Sequence, residues 1–201
     1  MKKSVVLVGL SLVNMIAVAA GRFSPLGISI EESTSLNKES QYPNRHAYVY
    51  GWRFALGSAA HSRMVGLATA VFANNDASAG GYVGGLQTAA LFNTAGDCEF
   101  GVWQISGFCN KVSRDCNGLQ VCTFYNEVSG YFVGLQTALY NKVKQDTAGM
   151  QIGLLNSGGA VMGMQIGLVN LAKSLQGVQL GLLNFEENSM MMVFPVVRLG
   201  W

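Results

Sequence analysis

One amide recurs at a shrinking interval: Gln87, Gln104, Gln120, Gln136, Gln151, Gln165 and Gln179 are separated, by subtraction, by 17, 16, 16, 15, 14 and 14 residues. Gly85, Gly118, Gly134, Gly149, Gly163 and Gly177 stand two residues before the Gln, and only Gln104 lacks this glycine. Asn93, Asn110 and Asn126 follow six residues after it, whereas Asn141, Asn156, Asn170 and Asn184 follow five after. Self-similarity at so short a period confines the chain to architectures in which one small unit is repeated.

Within a copy the period is two. Met164, Ile166 and Leu168 share one parity, and Gly163, Gln165 and Gly167 share the other. That alternation predicts strands. Turn residues separate the copies, as in Asn156-Ser157-Gly158-Gly159 and Ala172-Lys173-Ser174, and no helix signal intervenes. The residue lost between Gln and Asn in the later copies predicts a β-bulge. If successive copies pair as antiparallel hairpins with Gln opposite Gln, the midpoints fall on Gly158 and Ala172, both within those turns. The Gly-x-Gln-x-Gly core is almost a palindrome, so reversing a strand preserves which residues share a face.

An aliphatic face needs a second layer, and no helix is available to supply one. The expected fold is all-β, an antiparallel meander closed as a transmembrane β-barrel of about 10–12 strands, with aliphatics toward lipid and the Gly/Gln face lining the lumen. A β-solenoid with one repeat per coil, aliphatics inside and Gly/Gln outside, is the alternative. Charged residues are only 12% of the chain, against about 25% in an ordinary soluble domain. Beyond residue 63 they gather in expected turns (Lys111, Arg114, Asp115, Glu127, Lys142, Lys144, Asp146, Lys173, Glu186, Glu187), as a hydrocarbon-facing wall requires. Phe92, Phe108, Phe124, Tyr125, Tyr140 and Phe185 fall at strand ends, where they would form interfacial girdles. Val197, Leu199 and Trp201 share one parity of the last strand, which resembles the C-terminal assembly signal of bacterial outer-membrane barrels. Two features resist a barrel. The expected strands count to an odd number, and the residue four after Gln is apolar although its parity points inward.

Lys2 and Lys3 precede an apolar run from Val5 to Ala20 that closes on Ala17-Val18-Ala19, the pattern of a cleaved signal peptide. Residues 1–19 are therefore expected to be a leader and 20–201 a single repeat-built β-domain. After residue 21, Gly, Gln and Asn interrupt every apolar run before it reaches transmembrane-helix length. The net charge of +2, with no Lys/Arg cluster, gives no basis for nucleic-acid binding.

The G-[VLM]-Q-[IL]-G-L-[LV]-N copies, with a proline-containing, aromatic-ended last strand, resemble a family of bacterial surface repeat-containing proteins of unassigned biochemical role. The likeness covers roughly residues 22–201 and is strongest from Gly134 to Asn184; the stretch from Cys98 to Cys122 departs from it. It implies a surface location and no reaction.

Little else suggests chemistry. Cys98, Cys109, Cys116 and Cys122 match no zinc or redox spacing. In an exported chain, Cys109 and Cys116 flank a turn and are the expected disulfide, with four unpaired thiols as the alternative. His46 and His61 are the only histidines, His61-Ser62 would point to opposite sides of a strand, and no G-x-S-x-G occurs. No catalytic site, metal or cofactor is expected, and no ligand-binding residue is identified. Glu31-Glu32 and Glu186-Glu187 are expected to be solvated loop charges. The seven Gln are expected to form a structural belt of mutually bonded amides in the lumen. Function follows the fold. A barrel implies a structural or narrow-pore surface protein of the bacterial outer membrane, with membrane lipid and the barrel-assembly machinery as partners. A solenoid implies a secreted or surface-attached adhesion or interaction module whose surface partner the sequence does not identify.

Overall fold

Copies of the repeat do pair Gln to Gln, but their strands run in the same direction. The computed structural model describes residues 24–29, 48–55, 58–59, 63–76, 82–190 and 192–201. Its strands are β1 (Ser24–Ser29), β2 (Tyr48–Ala55), β3 (Ser58–Ala59), β4 (Arg63–Ala70), β5 (Ala73–Asp76), β6 (Tyr82–Ala89), β7 (Phe92–Ala95), β8 (Asp97–Ser106) and β9 (Cys109–Val112). There follow β10 (Cys116–Val121), β11 (Tyr125–Val128), β12 (Phe132–Thr137), β13 (Tyr140–Val143), β14 (Thr147–Ile152), β15 (Leu155–Ile166), β16 (Val169–Glu186) and β17 (Val193–Gly200).

Each repeat contributes one strand to each of two parallel sheets. The Gln sheet stacks β1, β2, β4, β6, β8, β10, β12, β14 and the later parts of β15 and β16. The Asn sheet stacks β3, β5, β7, β9, β11, β13 and the opening residues of β15 and β16. Side chains from the two sheets meet between them: Val83, Val102 and Phe132 of the one pack with Ala95, Val112, Val128 and Val143 of the other. The fold is a β-solenoid of about seven turns.

This overturns the antiparallel transmembrane barrel. Gly158, placed at the tip of a hairpin by the sequence pattern, pairs instead with Ala172 in parallel strands. Pattern symmetry explains the error, because Gly-x-Gln-x-Gly reads alike in both directions and leaves strand polarity unspecified. The apolar residue four after Gln, which resisted a barrel, also resolves: Phe124 is exposed at the corner between sheets, whereas Tyr140, Leu155 and Val169 open the Asn-sheet strands, where the alternation restarts after a corner formed by Leu139, Leu154 and Leu168. The residue that varies between Gln and Asn also falls there: Gly107-Phe108 and Thr123-Phe124 are bends following one extra residue, while Gly153-Leu154 and Gly167-Leu168 are the shorter form. A bulge does occur, but in β8, where the register against both neighbours shifts around Gly101.

The glycine two before Gln is required by close approach. Gly134 has φ +138°, and a Cβ there would lie 1.9 Å from the carbonyl oxygen of Gly118 on the rung below. Any side chain there would be strained by that positive φ and would push the rungs apart.

Among the described strands, β17 alone is antiparallel. It covers the last rung, pairing Gln179 with Arg198 and Gly181 with Val196. Arg198 is buried and its guanidinium holds Glu186 at 2.7 Å, pinning the strand to the stack. Val196 takes φ 67°. A β-branched residue there stores about 1–3 kcal/mol, and the cap holds despite it.

Candidate interaction face

Burial in this solenoid inverts the usual rule that amides face water. All seven repeat glutamines are fully buried, and so are Asn74, Asn93, Asn110, Asn126, Asn141, Asn156, Asn170 and Asn184. Stacking makes this tolerable, because the rungs above and below supply each amide with an identical partner. Gln136 Nε2 donates to Gln120 Oε1 at 2.7 Å, and Gln151 Nε2 donates to Gln136 Oε1 at 2.8 Å. The same step repeats from Gln104 to Gln179. The Asn column runs the other way: Asn126 Nδ2 donates forward to Asn141 Oδ1 at 3.0 Å, and Asn141 to Asn156 at 2.9 Å. Spare Asn protons bond carbonyls at the corner, as from Asn126 to Thr137. The ladders run along the solenoid axis, and with no barrel there is no lumen for the glutamines to line. At the last rung Gln179 Oε1 has no hydrogen-bond partner.

The amides and glycines point inward, so the other parity of the Gln sheet faces out. One outward column, immediately before Gln, is Trp52, Leu67, Leu86, Trp103, Leu119, Leu135, Met150, Met164 and Val178. The column after Gln is Phe54, Thr69, Thr88, Ile105, Val121, Thr137, Ile152, Ile166 and Leu180, in the same register. β17 extends both columns with Leu199 and Val197. No position in either column is charged. Trp103 is 54% exposed and Trp52 65%. The adjoining corner adds Phe108, stacked on Phe124 with ring centroids 4.6 Å apart, and then Leu139, Leu154, Leu168 and Leu182. An uncharged surface of this extent exceeds the scattered apolar exposure of ordinary soluble proteins.

The Asn sheet has a different exterior. Lys111, Glu127 and Lys142, expected in turns, lie within the short strands β9, β11 and β13. Glu127 is held between Lys144 at 2.9 Å and Lys111 at 3.5 Å. Burial acts to raise its carboxyl pKa, but the hydrogen bond from Lys144 and the charge of Lys111 bring it below the ordinary value. A shallow groove of about 400 Å³ on this side is lined by Lys142, Lys144, Lys173 and Glu187 among others, so it carries both signs of charge.

The cysteines form no disulfide, which corrects the expected Cys109–Cys116 bridge: none of the four is bonded to another. Cys109 stands opposite Tyr125 on the Asn sheet, whereas Cys116 stands opposite Cys98 on the Gln sheet. The expectation depended on a hairpin that does not form. Burial raises the Cys109 thiol pKa to about 11, with Cys122 and Glu127 adding to the effect and Lys111 opposing it. No group of three or more His, Cys, Asp or Glu suited to a metal occurs among the described residues. The leader, Glu31-Glu32, His46, His61 and Ser62 lie outside those residues. Trp201, at the end of the cap, is almost fully exposed.

The outward face went unrecognised in the sequence as a contact surface because a barrel would have turned it toward lipid, and the solenoid alternative placed the aliphatics inside with Gly and Gln outside, the reverse of the observed burial. Its signal was present all the same, in the uncharged positions on either side of every Gln. Comparison with known proteins finds no matching family model, no matching curated protein and no matching solved structure.

Proposed function

We propose that this chain is an exported β-solenoid, secreted or attached to a surface, that works as an adhesion or interaction module. The outer face of the Gln sheet is its contact surface, and catalysis has no part in this reading. The observation that carries it is the pair of uncharged outward columns, held at fixed spacing by the two amide ladders behind them. A rigid backing lowers the ordering cost of binding, because residues locked in a ladder lose little further freedom on contact. The A-x-A-ended leader expected from the sequence supports export.

The test is fractionation of cells producing either the wild type or Leu135→Lys/Met150→Lys, which places two charges on the face. The wild type is expected outside the cytoplasm in processed form and, by size-exclusion chromatography of that fraction, in a complex larger than the single chain. The variant should be processed and folded to the same extent but elute as the single chain. Unprocessed protein in the cytoplasm would sink the export reading. Complexes of equal size for the two forms would remove the face as the contact surface.

A further inference from the structure

We infer that the occupant of the Gln-sheet face is the same face of a second copy of this chain, giving a two-fold symmetric dimer of stacked solenoids. The inference rests on the interaction-module reading and names its partner. Three observations point to it.

The first is periodicity. The outward columns repeat once per rung, at about 4.8 Å, and their side chains make ridges and grooves with that spacing. A surface with the same spacing can interdigitate along its whole length, as the paired sheets of steric zippers do. Another copy of this face supplies that spacing automatically.

The second is area. From Trp52 to Val178 the face spans about 40 Å at the ~4.8 Å rung spacing, and a six-residue strand at ~3.3 Å per residue spans about 20 Å. The product, about 800 Å² per copy, matches the share that each partner buries in a standard stable interface. Trp103, and Met162 on the same outward parity three residues before Gln165, are both more than half exposed and supply the bulky aromatic and adaptable thioether that such interface centres favour.

The third is charge. The face carries none, so two copies meet without like-charge repulsion and without desolvating ions. Its charged margin does not favour a lipid surface. Arg114 is paired with Asp97 at 3.5 Å, and Lys144 with Glu127. Asp115 and Asp146 accept the backbone N–H groups of Tyr131 and Ala160. The rim is therefore mixed in sign, without the cationic excess that draws a protein face to anionic headgroups.

Sedimentation velocity of the full mature chain, from about 1 to 50 μM, tests the inference. The wild type should sediment with twice the mass of the chain. Leu135→Lys/Met150→Lys should weaken the dimer by at least about 100-fold, because the two-fold axis doubles every introduced charge. Ser157→Lys, on the Asn sheet beside Lys142, should leave the dimer intact. Met162→Lys, at a position 58% exposed, provides a milder second probe should the double variant lose its β-type circular dichroism. A folded wild type that stays monomeric at 50 μM overturns the inference, and so does a folded face variant that dimerises normally. Monomeric wild type that binds phosphatidylcholine vesicles, with the face variant failing to bind, makes lipid the occupant and likewise overturns it. That last result leaves the interaction-module reading standing, whereas complexes from producing cells that the face variant does not disrupt defeat that reading whatever the purified chain does.

Discussion

Leu135 and Gln136 are chain neighbours on opposite sides of β12, and each sits where an ordinary globular protein would place the other. The amide is fully buried and the leucine looks outward. Inside, the governing neighbour is the identical residue one rung away, so a polar group is well placed provided every rung repeats it. Outside no such reciprocity is needed, and the columns drift from Trp and Phe at the N-terminal rungs to Met, Ile and Val at the C-terminal ones. The lesson is that a stacked fold selects interior residues by their partners along the axis, while its exterior is free to be selected for contact.

The sharpest way to break that contrast is to exchange the two residues, Leu135→Gln together with Gln136→Leu. Composition is unchanged and the apolar side chain now lies inside, which naive hydrophobicity favours. The expected result is a large loss of stability. Gln120 Oε1 loses its donor and Gln151 Nε2 the shorter of its two bonds, keeping only the Ser157 carbonyl at 3.3 Å. Each buried orphan costs about 1–3 kcal/mol, and the apolar gain offsets part of this, leaving a net loss of about 2–4 kcal/mol. Urea denaturation at matched concentration measures it. A variant as stable as the wild type would show that the ladder contributes nothing.

A smaller effect separates the middle of the ladder from its end. Gln179 donates to Gln165 Oε1 at 2.7 Å and, more weakly, to the partly buried Phe185 carbonyl at 3.3 Å, and its own Oε1 has no partner, so Gln179→Leu orphans one ladder neighbour and removes one atom already unsatisfied. The expected loss is about 1 kcal/mol. Equal losses for Gln136→Leu and Gln179→Leu would mean that side-chain volume, and not the chain of amides, sets the cost.

How far the sequence disclosed this fold follows from which interactions leave a periodic trace. Strand content, the repeat unit and the grouping of Gly with Gln on one side were legible because alternation and recurrence are written directly into the order of residues. Strand direction was not. It depends on whether residues 138–139 and 144–146 reverse the chain within one sheet or carry it to a second, and a short polar turn serves either purpose. Lys111, Glu127 and Lys142 were misplaced for a related reason: a four-residue strand with a charged outward position looks like a turn. The outward face was legible as a pattern, but its meaning depended on closure. Uncharged columns face lipid in a barrel and a partner in a solenoid.

The smallest expected effect contrasts the charged Asn-sheet exterior with the uncharged Gln-sheet face through pH. Glu127 is the group that joins them to stability, since its carboxylate accepts from Lys144 and attracts Lys111. Burial pulls its pKa upward, but these cations prevail and hold the folded value below the ordinary 4.5. A folded pKa lower than the unfolded one means that the unfolded chain takes up the proton first. The stabilisation is therefore complete above about pH 4.5, declines as pH falls toward the folded value, and is gone below it. Because the pair is partly wet, it should shift the denaturation midpoint less than Gln179→Leu does. Comparing wild type with Glu127→Gln between pH 3 and 7 isolates the contribution. The two curves should diverge above about pH 4.5 and converge in acid, and adding salt should narrow the gap. Parallel curves across the whole range would mean that Glu127 contributes through its uncharged contacts and that its charge is incidental.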